Sequence, residues 1–365
     1  MHIQQLKEEI RQVNEPRRAS YGNFRHKLED IVIIGLLTII CIGEDFTDME
    51  NFGKEREEWL KTFLELPHSI PDSDTFRRVF EKLNPGELSI CLNNWLAINR
   101  EKGSVVSIDG KTIRGSGNDD HKAYHVVSAW VAENQITLGE IKIDEKSNEI
   151  TAVPKLLDMI DVAGSIVTAD AMSCQKDIAK KITEKKADYV ISLKGNQETL
   201  HGDVALYFED FAQDCEKTTT KEKGHGRIEK REYYLETSIG WLSQKPDWAN
   251  LNGIGMVQST VEEKGVVRQE TRFFITSLTN VADFAYAVRK HWSIENQLHW
   301  CLDVVFREDA AKAKKDNSPL NMNVLRKIAL SLLGRANMGR MGLRKKMFKV
   351  ALNCSLLEKI VFGEK

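Results

Sequence analysis

Ser104-Val105-Val106-Ser107-Ile108-Asp109-Gly110-Lys111 is an apolar, β-branched run that closes on a single acid, with a glycine directly behind it. Such a run reads as a buried strand that carries one carboxylate to the end of a sheet, where the backbone turns. A carboxylate there is costly unless a cation, a hydrogen bond or water satisfies it. The construction recurs downstream, where Ile166-Val167-Thr168-Ala169 ends at Asp170. Tyr124 to Val131 and Ile136 to Ile143 have strand character, with a turn at Glu133-Asn134. Ser147-Asn148 offers a cap for a helix through Ile160. Asp177 to Lys186 reads as helix, and Asp188 to Leu193 as a strand closing at Lys194-Gly195-Asn196.

Three strands, a helix, a strand, a helix and a strand predict an α/β fold with a ribonuclease-H-like mixed sheet over residues 98–200. In that layout the first and fourth strands lie side by side, so Asp109 and Asp170 share one sheet end. Upstream, residues 1–97 read as a helical domain. Its parts are an apolar helix from Ile31 to Cys41, an amphipathic stretch from Met49 to Leu64, and a short helix from Thr75 to Leu83 capped from Asp72-Ser73-Asp74. Arg77 and Arg78 on that helix suit either phosphate contact or protein packing.

Residues 201–284 read as a third, strand-rich unit, with a helix near Asp203 to Asp214, a polar connector from Glu216 to Gly226, and strands at Glu229–Thr237, Gly253–Val261 and Val266–Ser277. The stretch Gly224-His225-Gly226-Arg227-Ile228-Glu229-Lys230-Arg231 mixes glycines with bases, which suits either a phosphate-facing loop or a charged edge strand. Residues 285–318 turn helical, and 319–365 finish the chain as a basic helical C-terminal segment.

Composition sets bounds. The chain has 365 residues, 41% hydrophobic and 29% charged, with a formal net charge of -2, so no global charge announces a polyanion partner. The distribution is less even: Ala311 to Lys349 holds eleven Lys and Arg against one acid, Asp316, while Glu44 to Glu65 holds eight acids against three bases. Six scattered cysteines without a CxxC pair indicate neither a zinc knuckle nor a disulfide framework. Together with the lack of an apolar signal core, they predict reduced thiols in a cytoplasmic protein. The longest apolar run, Ile31 to Ile42, is too short to span a bilayer.

A third acid, Glu295, lies in Arg289-Lys290-His291-Trp292-Ser293-Ile294-Glu295-Asn296. On a regular helix His291, Glu295 and His299 share a face. A zinc reading of that triad is weak, because ligands spread over two turns of one helix converge poorly on a tetrahedral ion. Two aspartates at adjoining strand ends and a helical glutamate better suit Mg²⁺, with Mn²⁺ as substitute. Such ions activate an oxygen nucleophile and stabilise the leaving oxygen of a phosphodiester displacement.

Five motifs occur in order: SIDGKTIRGS, VTADAMSCQKDIA, YVISLKGNQ, GHGRIEKR and HWSIENQLHWCLDVVFREDA. With them the chain resembles the DDE transposases of bacterial insertion sequences, in particular the H-repeat-associated, Rhs-element-linked family. The stretch RHKLEDIVIIGLLTIICIGEDFTDMENFG followed by LPHSIPDSDTFRRVF resembles that family's helical N-terminal part. The resemblance implies a ribonuclease-H-like core interrupted by a β-rich insertion, residues 201–284, between its last strand and the glutamate helix, with Asp109, Asp170 and Glu295 as the catalytic, metal-binding acids. It also implies DNA partners, both terminal inverted repeats and target, and a homodimer that pairs two ends. Related transposases place the glutamate in a Tyr-x2-Arg-x3-Glu-x6-Lys signature. Here Val288, His291 and Leu302 stand at the Tyr, Arg and Lys positions, so those roles do not carry over. Lys111, Arg114, Lys194, His225, Arg227, Arg289 and His291 are the candidate DNA contacts, with His299 beside them on position alone. Asp303, Glu308 and Asp309 are read as structural. Two other readings remain: an inactive remnant that only binds DNA, and a stand-alone ribonuclease-H-like nuclease.

Overall fold

The computed structural model describes residues 3–17, 24–96, 103–119, 121–143, 148–224 and 226–363. His225 lies outside the described residues. Six helices come first: α1 (Ile3–Arg11), α2 (Leu28–Ile40), α3 (Phe46–Glu55), α4 (Glu57–Leu60), α5 (Ser73–Lys82) and α6 (Pro85–Trp95). The Met49–Leu64 stretch is therefore two helices broken at Arg56. Helix α2 is apolar on nearly every side and all its residues are buried, as a helix without a polar face must be. Of its two first-turn acids, Glu29 accepts from Arg11 at 3.0 Å, while Asp30 accepts the Leu66 amide at 3.1 Å through Oδ2 and has no partner for its buried Oδ1 among the described residues. Asp72 caps α5 through the Thr75 amide at 2.7 Å. Pro85 is the first residue of α6, where its missing N–H costs nothing.

Next come β1 (Val105–Ile113), β2 (Tyr124–Val131), β3 (Ile136–Ile143), α7 (Glu149–Met159), β4 (Ile166–Ala169), α8 (Lys176–Glu184), β5 (Asp188–Leu193) and α9 (Glu198–Phe211). The strands β6 (Glu216–Gly224), β7 (Arg227–Glu236), β8 (Gly253–Glu263) and β9 (Val266–Thr276) follow, and then α10 (Val281–Ser293). One sheet holds these nine strands in the order β3-β2-β1-β4-β5-β9-β8-β7-β6. β1 pairs antiparallel with β2 and parallel with β4, and β4 runs parallel to β5. The first five strands are thus the ribonuclease-H-like arrangement. β9 joins β5 antiparallel, with Val190 opposite Thr276, so the insertion extends the sheet. Glu216 to Gly224, expected as a connector, is an edge strand in full register with β7. Helices α7, α8 and α9 cover one face over an apolar core that includes Val106, Ile108, Leu156, Ile178, Ile191 and Val204. Helix α10 lies on the other face, where Phe284 packs against Phe274.

The chain closes with α11 (Ser318–Arg335), α12 (Leu343–Ala351) and α13 (Cys354–Phe362). α11 is no solvated basic tail. Its residues Ser318 through Leu333 are buried, and they share one apolar core with α1–α6. Two of the bases in the basic segment point inward: Arg326 reaches Glu308 at 3.4 Å, and Lys327 is ion-paired to Glu140 and donates to Ser128 at 2.9 Å. Among the described residues, no helix is long and apolar enough to cross a membrane.

Candidate active site

The parallel register of β1 and β4 pairs Ile108 with Ala169, so Asp170, just past the end of β4, comes beside Asp109; Asp109 itself is mid-strand, because β2 continues the ladder through Gly110 to Ile113 where a turn was expected. Asp170 opens a tight turn in which its Oδ1 accepts the Ser173 amide at 3.2 Å. The loop after β5 is tied to that turn, since Asn196 donates to the Ala171 carbonyl at 2.7 Å and Gln197 to the Cys174 carbonyl at 2.9 Å. Exposed Lys194 therefore sits at the sheet end that carries Asp170.

Beyond Ser293 the glutamate segment leaves α-helical geometry. Two wide π-helical turns, Ile294–His299 and Cys301–Val305, carry it over the strand ends. The expected four-residue stacking of His291, Glu295 and His299 is lost. His291 Nδ1 lies 2.9 Å from Thr168 Oγ1, two residues before Asp170. Glu295 is exposed, and His299 is buried with Nδ1 3.7 Å from Asp109 Oδ2. Burial pushes the His291 imidazole down to about 4 and the His299 imidazole to about 3, so both are neutral at pH 7.

Burial pushes the Asp109 carboxyl up to about 7, and the charges of Glu149, Asp170 and Glu295 push the same way against a Gly110 backbone hydrogen bond. Burial also raises Asp170. Glu149 and His125 are members of the site that the sequence reading did not single out. Glu149 Oε1 bonds His125 Nε2 at 2.7 Å, and His125 Nδ1 lies 2.9 Å from Thr112 Oγ1. Both pack onto Gly110, where a Cβ would fall 2.1 Å from Glu149 Oε1 and 2.5 Å from His125 Nε2. The glycine directly behind Asp109 was the available signal.

Several expected DNA contacts are engaged within the protein. Lys111 is turned inward, 2.6 Å from Asp303 and 3.1 Å from Glu308, and only 7% exposed. It is therefore no free phosphate ligand. Arg289 holds Glu222 through two bonds of 3.0 and 2.7 Å, and Arg227 lies 3.7 Å from Glu229. Arg114 and Lys194 remain exposed. Asp303 and Glu308 serve the internal ion pairs.

Among the described residues, no three His, Cys, Asp or Glu side chains are drawn together around a common metal position. The donors still fit a hard divalent cation. Asp109, Asp170 and Glu295 offer only oxygens, and the raised Asp109 carboxyl marks a place where positive charge is lacking.

The sheet order β3-β2-β1-β4-β5 defines a ribonuclease-H-like fold. Residues 100–332 match the Transposase DDE domain, residues 7–96 match the DDE_Tnp_1-associated domain, and the chain belongs to this transposase family. It is 35% identical over 376 residues to "Putative transposase YncI" of Escherichia coli O157:H7, covering 99% of this chain and 95% of that one. It is 34% identical over 379 residues to "H repeat-associated putative transposase YhhI" of Escherichia coli K12, covering 100% and 99%. Among solved structures, a piggyBac transposase synaptic complex with hairpin DNA aligns over 98% of this chain and 78% of that chain, with a TM-score of 0.42 and 11% identity, too distant to bear on the site.

Proposed function

We propose that this chain cuts and joins DNA. It binds the terminal inverted repeats of an insertion sequence in the bacterial cytoplasm, hydrolyses a phosphodiester at each element end to free a 3′-hydroxyl, and passes that end to target DNA. The observation that carries this reading is the Ile108–Ala169 pairing, which sets Asp109 and Asp170 side by side beneath the Glu295 segment. A divalent cation, Mg²⁺ or in its place Mn²⁺, held by Asp109, Asp170 and Glu295, would supply the positive charge that activates an oxygen nucleophile and stabilises the leaving oxygen.

The protein's own groups do the rest. Thr168 and His291 fix α10 under the Asp170 strand. Exposed Lys194 and Arg114 meet phosphate at the two flanks, and the arginines of β7 and α10 accept the backbone when it displaces their glutamate partners. Two element ends require two such sites, so two copies of the chain act together.

The test uses a plasmid bearing the sequences that flank the gene. The wild-type chain nicks it at the element ends in Mg²⁺, while Asp170→Ala binds the same DNA in a gel shift and does not cut. Normal cleavage by Asp170→Ala would remove Asp170 from the site. Cutting without end preference, with turnover of RNA–DNA hybrids, would favour a general nuclease instead.

A further inference from the structure

Lys111 lies two residues beyond Asp109, on the same face of β1 by strand alternation. Its ammonium is buried, bridging Asp303 on the second π-helical turn and Glu308 in the turn that follows. Glu308 is fully buried. Its Oε2 takes Lys111, while its Oε1 accepts from Asn323 at 2.8 Å and faces Arg326 at 3.4 Å, both on α11. The cluster balances two cations with two carboxylates.

The backbone makes a second join at the same place. The turn Glu308–Ala310 packs on Gly115, where a Cβ would fall 2.5 Å from the Glu308 carbonyl oxygen and 3.0 Å from that of Asp309. Arg307 reaches that turn at φ 53, a left-handed conformation that costs a non-glycine residue about 1 kcal/mol. The strand bearing Asp109 and the segment bearing Glu295 are thus fastened together from the inside.

Why charges rather than apolar side chains? Replacing a buried ion cluster by well-packed apolar groups is often neutral or stabilising, and the best-attested use of such a cluster is to fix one register among several. A π-helical segment faces that problem directly, because one residue fewer per turn returns it to α geometry and rotates everything after the slip. The geometry points to Lys111 as the positioning residue that holds the glutamate segment in register against the Asp109 strand. This rests on the proposed transposase reading and deepens it: the lysine next to the first acid acts through the third.

The test compares Lys111→Met, Lys111→Arg, Asp303→Asn and Glu295→Gln in the full chain. Lys111→Met binds end DNA with wild-type affinity and an unchanged salt slope, while cleavage falls about 100-fold, the cost of a misplacement near 1 Å. Binding of Mn²⁺ alone, followed by electron paramagnetic resonance, weakens in Lys111→Met as it does in Glu295→Gln. Lys111→Arg, which keeps the charge, restores both readouts. Asp303→Asn, whose side chain is 35% exposed and keeps its shape, lowers cleavage in the same direction and decides the matter if Lys111→Met fails to fold.

Wild-type cleavage and Mn²⁺ binding by Lys111→Met or by Asp303→Asn overturn the proposal. So does a drop of about 0.9 in the salt slope of Lys111→Met, which marks a lost phosphate contact. Normal cleavage by Glu295→Gln sinks the underlying reading instead, and so separates the two failures.

Discussion

Asp109→Asn should stabilise the metal-free protein while it abolishes cutting. The unfolded carboxyl titrates near 3.8 and the folded one near 7, because burial and three neighbouring carboxylates penalise its charge. A raised acid binds its proton more tightly in the folded state. Its contribution is therefore full below the unfolded value and is lost as pH climbs toward 7, at about 1.4 kcal/mol per pH step. Summed over that window the loss approaches about 4 kcal/mol, an upper bound because the side chain is 30% exposed and titrates together with its neighbours. Asparagine fills the same space without ionising. The assay is urea unfolding at pH 5 and pH 8, with and without Mg²⁺. The wild type should be weaker at pH 8 without metal and gain from Mg²⁺, and Asp109→Asn should show neither effect from this site. An Asp109→Asn midpoint at or below that of the wild type at pH 8 would refute the idea that uncompensated charge collects around Asp109.

Gly110→Ala drives a methyl into Glu149 and His125, so their 2.7 Å bond should break at a cost of about 1 kcal/mol. Cleavage should fall while far-ultraviolet circular dichroism stays native, and an unchanged rate would show that Glu149 does not serve the site. Asn321→Ala removes the Nδ2 donor to the Phe80 and Leu83 carbonyls at 2.7 and 2.9 Å. The Leu83 carbonyl keeps its bond from Asn317 at 3.1 Å, so the loss should cost about 1 kcal/mol in denaturant unfolding. Glu222→Gln releases the Arg289 fork, so end-DNA affinity should rise and its salt dependence steepen, as fluorescence anisotropy would show.

Elements with a local signature were legible. The spans Tyr124–Val131, Ile136–Ile143 and Asp188–Leu193 follow from β-branched runs bounded by turns, and their order gave the sheet. The β1–β4 register sets Asp109 beside Asp170, but the strand expected to end there continues to Ile113, because β2 offers it a ladder that no local signal announces. What stayed hidden depends on partners far along the chain. β6 carries almost no apolar residue, and it is a strand only because β7 offers it a ladder. The π-helical turns have no period of their own in Glu295–Val305; they follow from holding Asp303 on Lys111 and His299 on Asp109. Lys111 itself reads as a surface base until Glu308, 197 residues away, is found beneath it. Arg326 and Lys327 misled in the same way, since a count of charges cannot say which of them face inward.

The apolar core shared by the first six helices and α11 bears on how the enzyme comes into being. A growing chain can complete its sheet once β9 has emerged, yet the anchor of Glu308 consists of Asn323 and Arg326, which are made later. Until α11 is made, Lys111 alone faces Glu308, without the Asn323 and Arg326 that share its carboxylate. A chain interrupted before α11 would keep Asp109, Asp170 and Glu295 but lose those two partners of Glu308.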